Sequence, residues 1–367
     1  MIDLRKAFDT VDFDVLLKKL TAMGVKSTDW FRSYLTGRKQ CVQVNDTDSD
    51  FLEITCGVPQ GSILGPILFL CYINDMSIAL SCKLSLYADD STLIASDTCV
   101  ENLSRFLSNQ LESCSKWLVD NKLSLHVDKC ESIIFSSARK AKIRDGFKIT
   151  CSGVNVRRMF RVKYLGVYLD ENLMGNDQAI EVIKKTSARL SFLYRSSGLF
   201  DTKTRATLCL ALVQPIFDYC CSSWFTGIRA NLKERLYCLQ RKMVRFIFHF
   251  DARHSVDSSH LRSLCWLSFK DRVRYFKLIL AFKIHNGTAP RYLSDSFSRF
   301  SSVHSYDTRR SQTDYVVSRD DTASSVVMNG FTYTAKREWN LLPIGLKTIP
   351  KLDVFKRRLR EYFLNCY

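Results

Sequence analysis

The sequence lacks the features of a membrane-spanning protein and of a secreted, disulfide-bonded protein. It contains no run of about 18 uninterrupted apolar residues, so we expect no transmembrane helix. Its 14 cysteines form no Cys-x-x-Cys pair, and Met1 leads directly into charged sequence without a secretory signal. We therefore expect reduced thiols and a protein of the nucleus or cytoplasm that is not secreted and has no membrane partner.

Basic residues are sparse at the start of the chain and abundant later. Residues 1–135 carry 13 Lys and Arg against 18 Asp and Glu, a net charge of −5, whereas residues 136–367 carry 41 against 19, a net charge of +22. An acidic segment concentrates metal ions, and a basic one suits a phosphate backbone, although anionic lipid would also attract it. With 367 residues, 46% of them hydrophobic, the chain has room for two or three domains with their own cores.

Three aspartates carry the strongest chemical signal. Asp89 and Asp90 are adjacent, and the alternation of apolar and polar residues around them predicts a β-hairpin with a two-residue turn and both carboxylates at its tip. Asp3 lies far from them in sequence, where a strand would end. An acidic residue leaving one strand and facing such a pair can hold two Mg²⁺ ions for in-line phosphoryl transfer. The pattern indicates a template-copying polymerase.

An adjacent pair of aspartates also has a purely structural explanation. Asp is common in exposed turns, where its side chain bonds its own backbone and tolerates unusual dihedral angles. For an isolated pair that explanation would be favoured, and the strand-like flanks are what favour a metal site here.

Five segments in order resemble the successive palm motifs of the reverse transcriptases of non-long-terminal-repeat retrotransposons, of the jockey-like kind. They are DLRKAFDTV at 3–11, GVPQGSILGP at 57–66, YADD at 87–90, NKLSL at 121–125 and YLGVYLD at 164–170. Any one of these motifs alone would be weak evidence, and five in the right order are strong evidence.

The resemblance implies a metal site. Asp3 and Asp89 would be the principal Mg²⁺ ligands, with Asp90 in support and the Leu4 carbonyl as a further oxygen ligand. Two Mg²⁺ ions, for which Mn²⁺ could substitute, would activate the primer 3′-hydroxyl and neutralise the triphosphate and the departing pyrophosphate.

Lys129 falls on the motif in which the family has a lysine near the pyrophosphate, and the resemblance implies a general acid there. His126 and Cys130 stand where relatives usually have Asn and Thr, which weakens this match. A solvated surface lysine is the competing explanation.

The resemblance also implies a nucleotide-binding set. Phe8 matches the steric gate that excludes a ribose 2′-hydroxyl, although a core aromatic is the simpler explanation for an isolated Phe. Pro59, Gln60 and Gly61 match the loop that bears on the template and the incoming nucleotide. A generic helix-entry loop would look similar, because Pro66 suits the first turn of a helix.

Two further sets would contact the nucleic acid. The hairpin predicted at Tyr164, Leu165 and Gly166 grips the primer end in the family. In residues 232–247 an apolar stripe is flanked by basic side chains. Two explanations fit this pattern: a solvated helix face, or a helical thumb that follows the nucleic-acid duplex. These candidate nucleic-acid-binding residues are Lys233, Arg235, Arg241, Lys242 and Arg245.

The fold class that follows is α+β. We predict a polymerase palm over residues 1–170, a mainly helical thumb and basic region over residues 171–290, and a C-terminal region over residues 291–367 that resembles the end of jockey-like elements. The partners implied are an RNA template, a DNA primer and deoxynucleoside triphosphates, and the oligomeric state is left open.

Only Met1 and Ile2 precede Asp3, so most of the strand that leads to it and the family's fingers are expected to be missing. We expect the C-terminal part of a longer retrotransposon polyprotein, or a gene model of a decayed copy. Two functions stay open: an RNA-directed DNA polymerase fragment that transfers nucleotides to a primer 3′-hydroxyl, and an inactive nucleic-acid-binding remnant.

Overall fold

The computed structural model describes residues 1–136, 138–302, 313–317 and 325–366. It divides into two compact units, Met1–Phe160 and Arg161–Tyr367. No helix within the described ranges is long and apolar enough to cross a membrane.

The first unit mixes helices with short strands, in agreement with the predicted α+β class. Its α-helices are α1 Phe13–Ala22, α2 Thr28–Leu35, α3 Leu64–Ile73 and α4 Val100–Asp120. Its strands are β1 Lys39–Gln40, β2 Gln43–Val44, β3 Thr47–Asp48, β4 Leu52–Glu53, β5 Lys83–Tyr87, β6 Asp90–Ile94, β7 Glu131–Ser132, β8 Thr150–Cys151, β9 Val154–Asn155 and β10 Arg157–Arg158. Strand pairs β1–β4, β2–β3, β5–β6 and β8–β9 are antiparallel, and β7–β10 is parallel.

Local sequence explains where these helices begin and what they bury. The Asp12 side chain caps α1 by accepting a hydrogen bond from the Val15 amide, and the chain leaves that helix at Gly24, whose φ of +88° suits a residue without a Cβ. Helix α4 buries one apolar stripe in the core of the unit, made of Leu103, Leu107, Leu111, Cys114 and Leu118.

The second unit is helical after one hairpin, as predicted for the residues beyond 170. The hairpin strands are β11 Arg161–Tyr164 and β12 Val167–Asp170. The α-helices are α5 Asn176–Arg195, α6 Thr202–Leu212, α7 Gln214–Asp218, α8 Cys221–Trp224, α9 Ala230–Phe248, α10 Ser258–Ser263, α11 Phe269–His285, α12 Arg291–Ser294, α13 Ser325–Asn329, α14 Phe331–Asn340, α15 Ile344–Lys347 and α16 Leu352–Asn365.

The compact units divide after Phe160, so the hairpin that the sequence analysis grouped with the palm lies in the second unit. The predicted limits 1–170, 171–290 and 291–367 stay predictions. Within the last of these ranges, residues 303–312, 318–324 and 367 lie outside the described residues.

The C-terminal helices share a separate apolar core that contains two buried polar features. Lys347 is 5% exposed, and its Nζ lies 2.7 Å from a carboxylate oxygen of Asp314. His285 Nδ1 lies 3.1 Å from the Tyr315 hydroxyl, and burial is the main reason that the pKa of His285 is lowered from 6.5 to about 4.

Candidate active site

Strand pairing brings the first residues of the chain to the aspartate hairpin. Ile2 pairs antiparallel with Ser91, and the Ile2 amide donates to the Ser91 carbonyl over 2.8 Å. In an antiparallel register the next residue of one strand lies opposite the preceding residue of the other. Asp3 therefore lies across from Asp90, although the two are 87 positions apart in sequence (90 − 3).

Alternation along the strands turns both of these aspartates toward solvent. Ile2, Leu4 and Ser91 are 6%, 8% and 2% exposed, so they lie on the buried face. Successive side chains of a strand point to opposite faces. The Asp3 side chain, 47% exposed, and that of Asp90 thus share the solvent face.

The hairpin itself is confirmed, with one difference from the prediction. Tyr87 pairs with Asp90, so the two turn residues are Ala88 and Asp89, and Asp90 is already the first residue of β6. Ala88 adopts φ +52°, which is the left-handed conformation that a tight hairpin requires at this position. Only Asp89 is at the tip, and Asp90 stands one step down the strand.

A second segment pairs with the other edge of residues 3–5. The Arg5 amide donates to the Ser124 carbonyl over 3.0 Å, and the His126 amide donates to the Asp3 carbonyl over 2.9 Å. Because the backbone groups of alternate residues face opposite edges of a strand, the Leu4 carbonyl faces the hairpin edge. This orientation is the one that a ligand oxygen beside the aspartates would need.

Lys129 reaches this face from a short 3₁₀ helix, Val127–Lys129. Its Nζ lies 4.0 Å from a carboxylate oxygen of Asp3, and the two side chains are 66% and 47% exposed. Such an exposed pair contributes little to stability, so stabilisation of the fold does not account for a lysine at position 129.

The segment that carries Lys129 is fastened to α1 and α3. The Tyr72 hydroxyl donates to the Asn121 carbonyl over 2.5 Å, and Lys122 Nζ lies 2.6 Å from a carboxylate oxygen of Asp12. Tyr72 is fully buried, and burial raises its pKa to about 12. Tyr72 and Asp12 were not predicted as site residues, because nothing in their local pattern marks a contact with residues some 50 to 110 positions away.

The loop that contains Pro59, Gln60 and Gly61 is hydrogen-bonded to the segment after Asp3. The Val58 amide donates to the Phe8 carbonyl and the Gly57 amide to the Val11 carbonyl, each over 2.8 Å. Gly57 has φ +91°, and a Cβ on it would lie 2.8 Å from the Asp9 carbonyl oxygen. Only glycine allows this close approach.

A side-chain hydrogen bond also joins this loop to the segment after Asp3. Gln60 Nε2 donates to a carboxylate oxygen of Asp9 over 2.7 Å. Phe8, next to Asp9, is half-buried and stacks on Phe69 of α3 with ring centroids 4.4 Å apart. Phe8 and Gln60 are thus each fixed by a contact of their own, Phe8 by Phe69 and Gln60 by Asp9. Asp9 was not predicted as a site residue, because the motif around it pointed to Asp3 and Phe8.

The predicted hairpin at residues 164–167 is confirmed in the second unit. Leu165 and Gly166 form its turn with φ +45° and +82°. The Tyr219 hydroxyl donates to the Leu165 carbonyl over 2.5 Å, and the Tyr219 ring lies 3.2 Å from where a Cβ on Gly166 would be. Tyr219 was not among the predicted site residues.

Helix α9 carries all five basic residues expected to bind nucleic acid, and the structure separates them into two groups. Three of them make contacts within the chain: Lys233 donates to the Thr226 carbonyl, Arg241 pairs with Glu234, and Arg245 donates to the His254 carbonyl. Arg235 and Lys242 are exposed and lie seven residues apart, which places them on one side of the helix.

The donor set near Asp3 suits a hard cation, since it consists of carboxylate and carbonyl oxygens. Across the described residues, no three His, Cys, Asp or Glu side chains are arranged to hold one metal ion. Mg²⁺ in polymerase-type sites is held by one or two carboxylates together with substrate phosphates, so a complete protein cage is not required of these residues.

Comparison with known proteins finds one family match and several similar polymerases. Residues 1–169 match the family described as reverse transcriptase (RNA-dependent DNA polymerase). The chain is 27% identical over 260 residues to the RNA-directed DNA polymerase from mobile element jockey of Drosophila funebris, covering 67% of this chain and 28% of that protein. It is 25% identical over 255 residues to the probable RNA-directed DNA polymerase from transposon X-element of Drosophila melanogaster, again covering 67% and 28%. The chain thus spans less than a third of these relatives.

Proposed function

We propose that this chain, whose residues 1–169 match the reverse transcriptase family, forms the polymerase part of a non-long-terminal-repeat retrotransposon protein. It would copy an RNA template by adding deoxynucleotides to the 3′-hydroxyl of a DNA primer. The similarity covers 28% of the jockey and X-element proteins, and we propose that a polyprotein containing these residues has this activity.

The observation that carries the proposal is the pairing of Ile2 with Ser91, which sets Asp3 beside Asp90 on one solvent-facing surface. Asp89 and the Leu4 carbonyl would supply further oxygen ligands, and substrate phosphates would complete the coordination of each ion. Bound Mg²⁺ would acidify the primer 3′-hydroxyl and neutralise the charge on the triphosphate. The aspartates orient the reacting groups by fixing where those charges lie.

Lys129 would hold a proton for the leaving group. Its ammonium group is exposed and 4.0 Å from Asp3, so a triphosphate bound at the aspartates would lie within its reach. As the bond to the departing pyrophosphate breaks, Lys129 would donate a proton to the pyrophosphate oxygen.

Phe8, Pro59, Gln60 and Gly61 would select the nucleotide. Phe8 is stacked on Phe69, which limits its rotation, and a rigid ring excludes a 2′-hydroxyl better than a mobile one. Gln60 is held by Asp9 and keeps its carbonyl oxygen available for the template or the nucleotide.

The two units would act as palm and thumb. In the second unit the hairpin with Tyr164, Leu165 and Gly166 would grip the primer end, and Arg235 and Lys242 would contact phosphates of the template–primer duplex. Lys233, Arg241 and Arg245 would contribute less to binding, because their side chains already have partners within the chain.

The first test removes a metal ligand. Asp89→Ala and Asp3→Ala, made in a polyprotein that contains these residues, should abolish Mg²⁺-dependent primer extension and leave primer–template binding at the parental affinity. Asp50→Ala, a change of an exposed aspartate in the same unit, is the matched control and should extend normally. Normal extension by Asp89→Ala would refute the metal assignment.

A second test uses residues 1–367 alone and distinguishes the polymerase from a remnant that only binds nucleic acid. We expect this chain to bind primer–template, and we expect a polyprotein that contains these residues to extend the primer. Binding should weaken steeply with salt and show little sequence preference, because counterion release drives it. Binding that does not depend on salt would argue against phosphate contacts, and a lack of extension in the polyprotein that contains these residues would favour the remnant.

A further inference from the structure

Tyr219 occupies a position that the proposed reaction has not yet explained. Its side chain is 51% exposed, yet its hydroxyl is directed at the backbone of the 165–166 turn, 54 residues earlier in the chain. The hydrogen bond to the Leu165 carbonyl measures 2.5 Å. An exposed tyrosine with a long-range backbone contact of this kind is more than a solvated surface residue.

The turn is built to receive this ring. Leu165 and Gly166 both have positive φ, and the Tyr219 ring carbons and hydroxyl lie 3.2–3.5 Å from the place where a Cβ on Gly166 would be. Glycine at 166 therefore serves two purposes, since it adopts the left-handed conformation and leaves room for the aromatic ring.

Tyr219 is itself held at a rigid corner between α7 and α8. Its amide donates to the Pro215 carbonyl over 3.1 Å, and its carbonyl accepts from Trp224 Nε1 over 3.1 Å. Trp224 is 4% exposed and belongs to the core of the unit. A chain of contacts thus runs from the core through Tyr219 to the turn.

Strand β12 of the same hairpin is fixed separately. The Tyr168 amide donates to the side-chain oxygen of Gln178, which is 5% exposed on α5. The hairpin is therefore anchored along β12 by Gln178 and at its turn by Tyr219. Loss of the second anchor would free the turn without unfolding the hairpin.

We propose that Tyr219 is a positioning residue that fixes the Leu165–Gly166 turn and thereby sets the location of the primer 3′ end. This inference rests on the proposed function, because it assumes that the turn contacts the primer. Tyr219 acts through the Leu165 carbonyl and takes no part in the chemical step.

The test uses residues 1–367 and a DNA primer that carries 2-aminopurine at its 3′ terminus, annealed to RNA. Tyr219→Phe removes only the hydroxyl, so the affinity for the duplex and the thermal unfolding midpoint should stay at the parental values. The change in 2-aminopurine fluorescence on binding should become smaller, and Tyr219→Ala should reduce it further. Tyr292→Phe, at a tyrosine 75% exposed in the same unit, is the control and should behave as the parent.

Gly166→Ala disturbs the same contact by placing a methyl group against the Tyr219 ring, and it should reproduce the fluorescence change of Tyr219→Ala. In an extension-competent polyprotein, Tyr219→Phe should lower kcat about twofold to tenfold at unchanged KM for primer–template, the size expected for one lost hydrogen bond that places the primer end without contributing to duplex affinity. An internal 2-aminopurine should report no difference between parent and variant.

The outcomes separate the two proposals. Parental fluorescence in both Tyr219 variants, or equal changes at terminal and internal labels, would overturn the role of Tyr219 while leaving the polymerase proposal in place. A parent chain that does not bind primer–template would overturn the proposed function and this inference with it.

Discussion

Gly57→Ala tests the close packing of the 57–61 loop against the segment after Asp3. Two costs are expected, and the structure separates them. A Cβ at φ +91° is strained by roughly 1–2 kcal/mol in the left-handed region. The same Cβ would lie 2.8 Å from the Asp9 carbonyl oxygen and 2.9 Å from Asp9 Cα, and such overpacking typically costs about 1–3 kcal/mol more.

Gly24→Ala is the matched control for this change. Gly24 has φ +88°, nearly the same backbone conformation, and a Cβ on it would meet nothing within 4 Å. Gly24→Ala should therefore destabilise the first unit by roughly 1–2 kcal/mol and Gly57→Ala by about 2–5 kcal/mol.

Hydrogen exchange followed by mass spectrometry measures this difference within the first unit. The most protected amides of α3 exchange only when that unit opens, so their rates report its stability. The extra 1–3 kcal/mol should make them exchange about 5- to 140-fold faster in Gly57→Ala than in Gly24→Ala. Equal rates in the two variants would refute the reasoning, since the clash with Asp9 would then contribute nothing.

Three further changes follow from the same structure. His285→Phe should flatten the pH dependence of stability. The folded pKa of His285, about 4, lies below the ordinary 6.5, so the parent should lose about 1–2 kcal/mol as the pH falls from 6.5 to 4, because solvent screens part of the effect at this half-buried ring. Urea unfolding at several pH values measures this loss, and an unchanged slope in the variant would contradict it. Lys347→Met should destabilise by about 3–5 kcal/mol in urea unfolding because it leaves the buried Asp314 carboxylate without its counter-ion. Adding Asp314→Leu should recover most of that loss. Asp9→Ala should raise KM for deoxynucleotides in primer extension, because Gln60 loses its hydrogen-bond partner. Asp9→Asn keeps an acceptor oxygen and should have a KM near that of the parent. Equal effects of the two changes would exclude a role of Asp9 in positioning Gln60.

Local features of this protein could be read from the sequence. The 87–90 hairpin, the turn at Leu165 and Gly166 and the helical stripe of α4 all follow from patterns that span a few residues. Strand alternation, turn chemistry and helical periodicity depend on neighbouring residues, so a single sequence is enough to express them. The order of the five motifs was likewise enough to indicate the reverse transcriptase family.

Contacts between distant residues were decided only by the tertiary structure. The sequence marked Asp3 and Asp90 as candidates, but only the pairing of Ile2 with Ser91 set them side by side. The bond between Gln60 and Asp9 and the contact of Tyr219 with the 165–166 turn had no signal in sequence at all.

The same holds for the basic residues of α9. Periodicity placed Lys233, Arg241 and Arg245 on polar sides of the helix, but their partners at Thr226, Glu234 and His254 depend on how the chain turns before and after it. A side chain's local pattern sets which way it points, whereas its partner is determined by strand register and helix packing, which join residues that no short window of sequence contains.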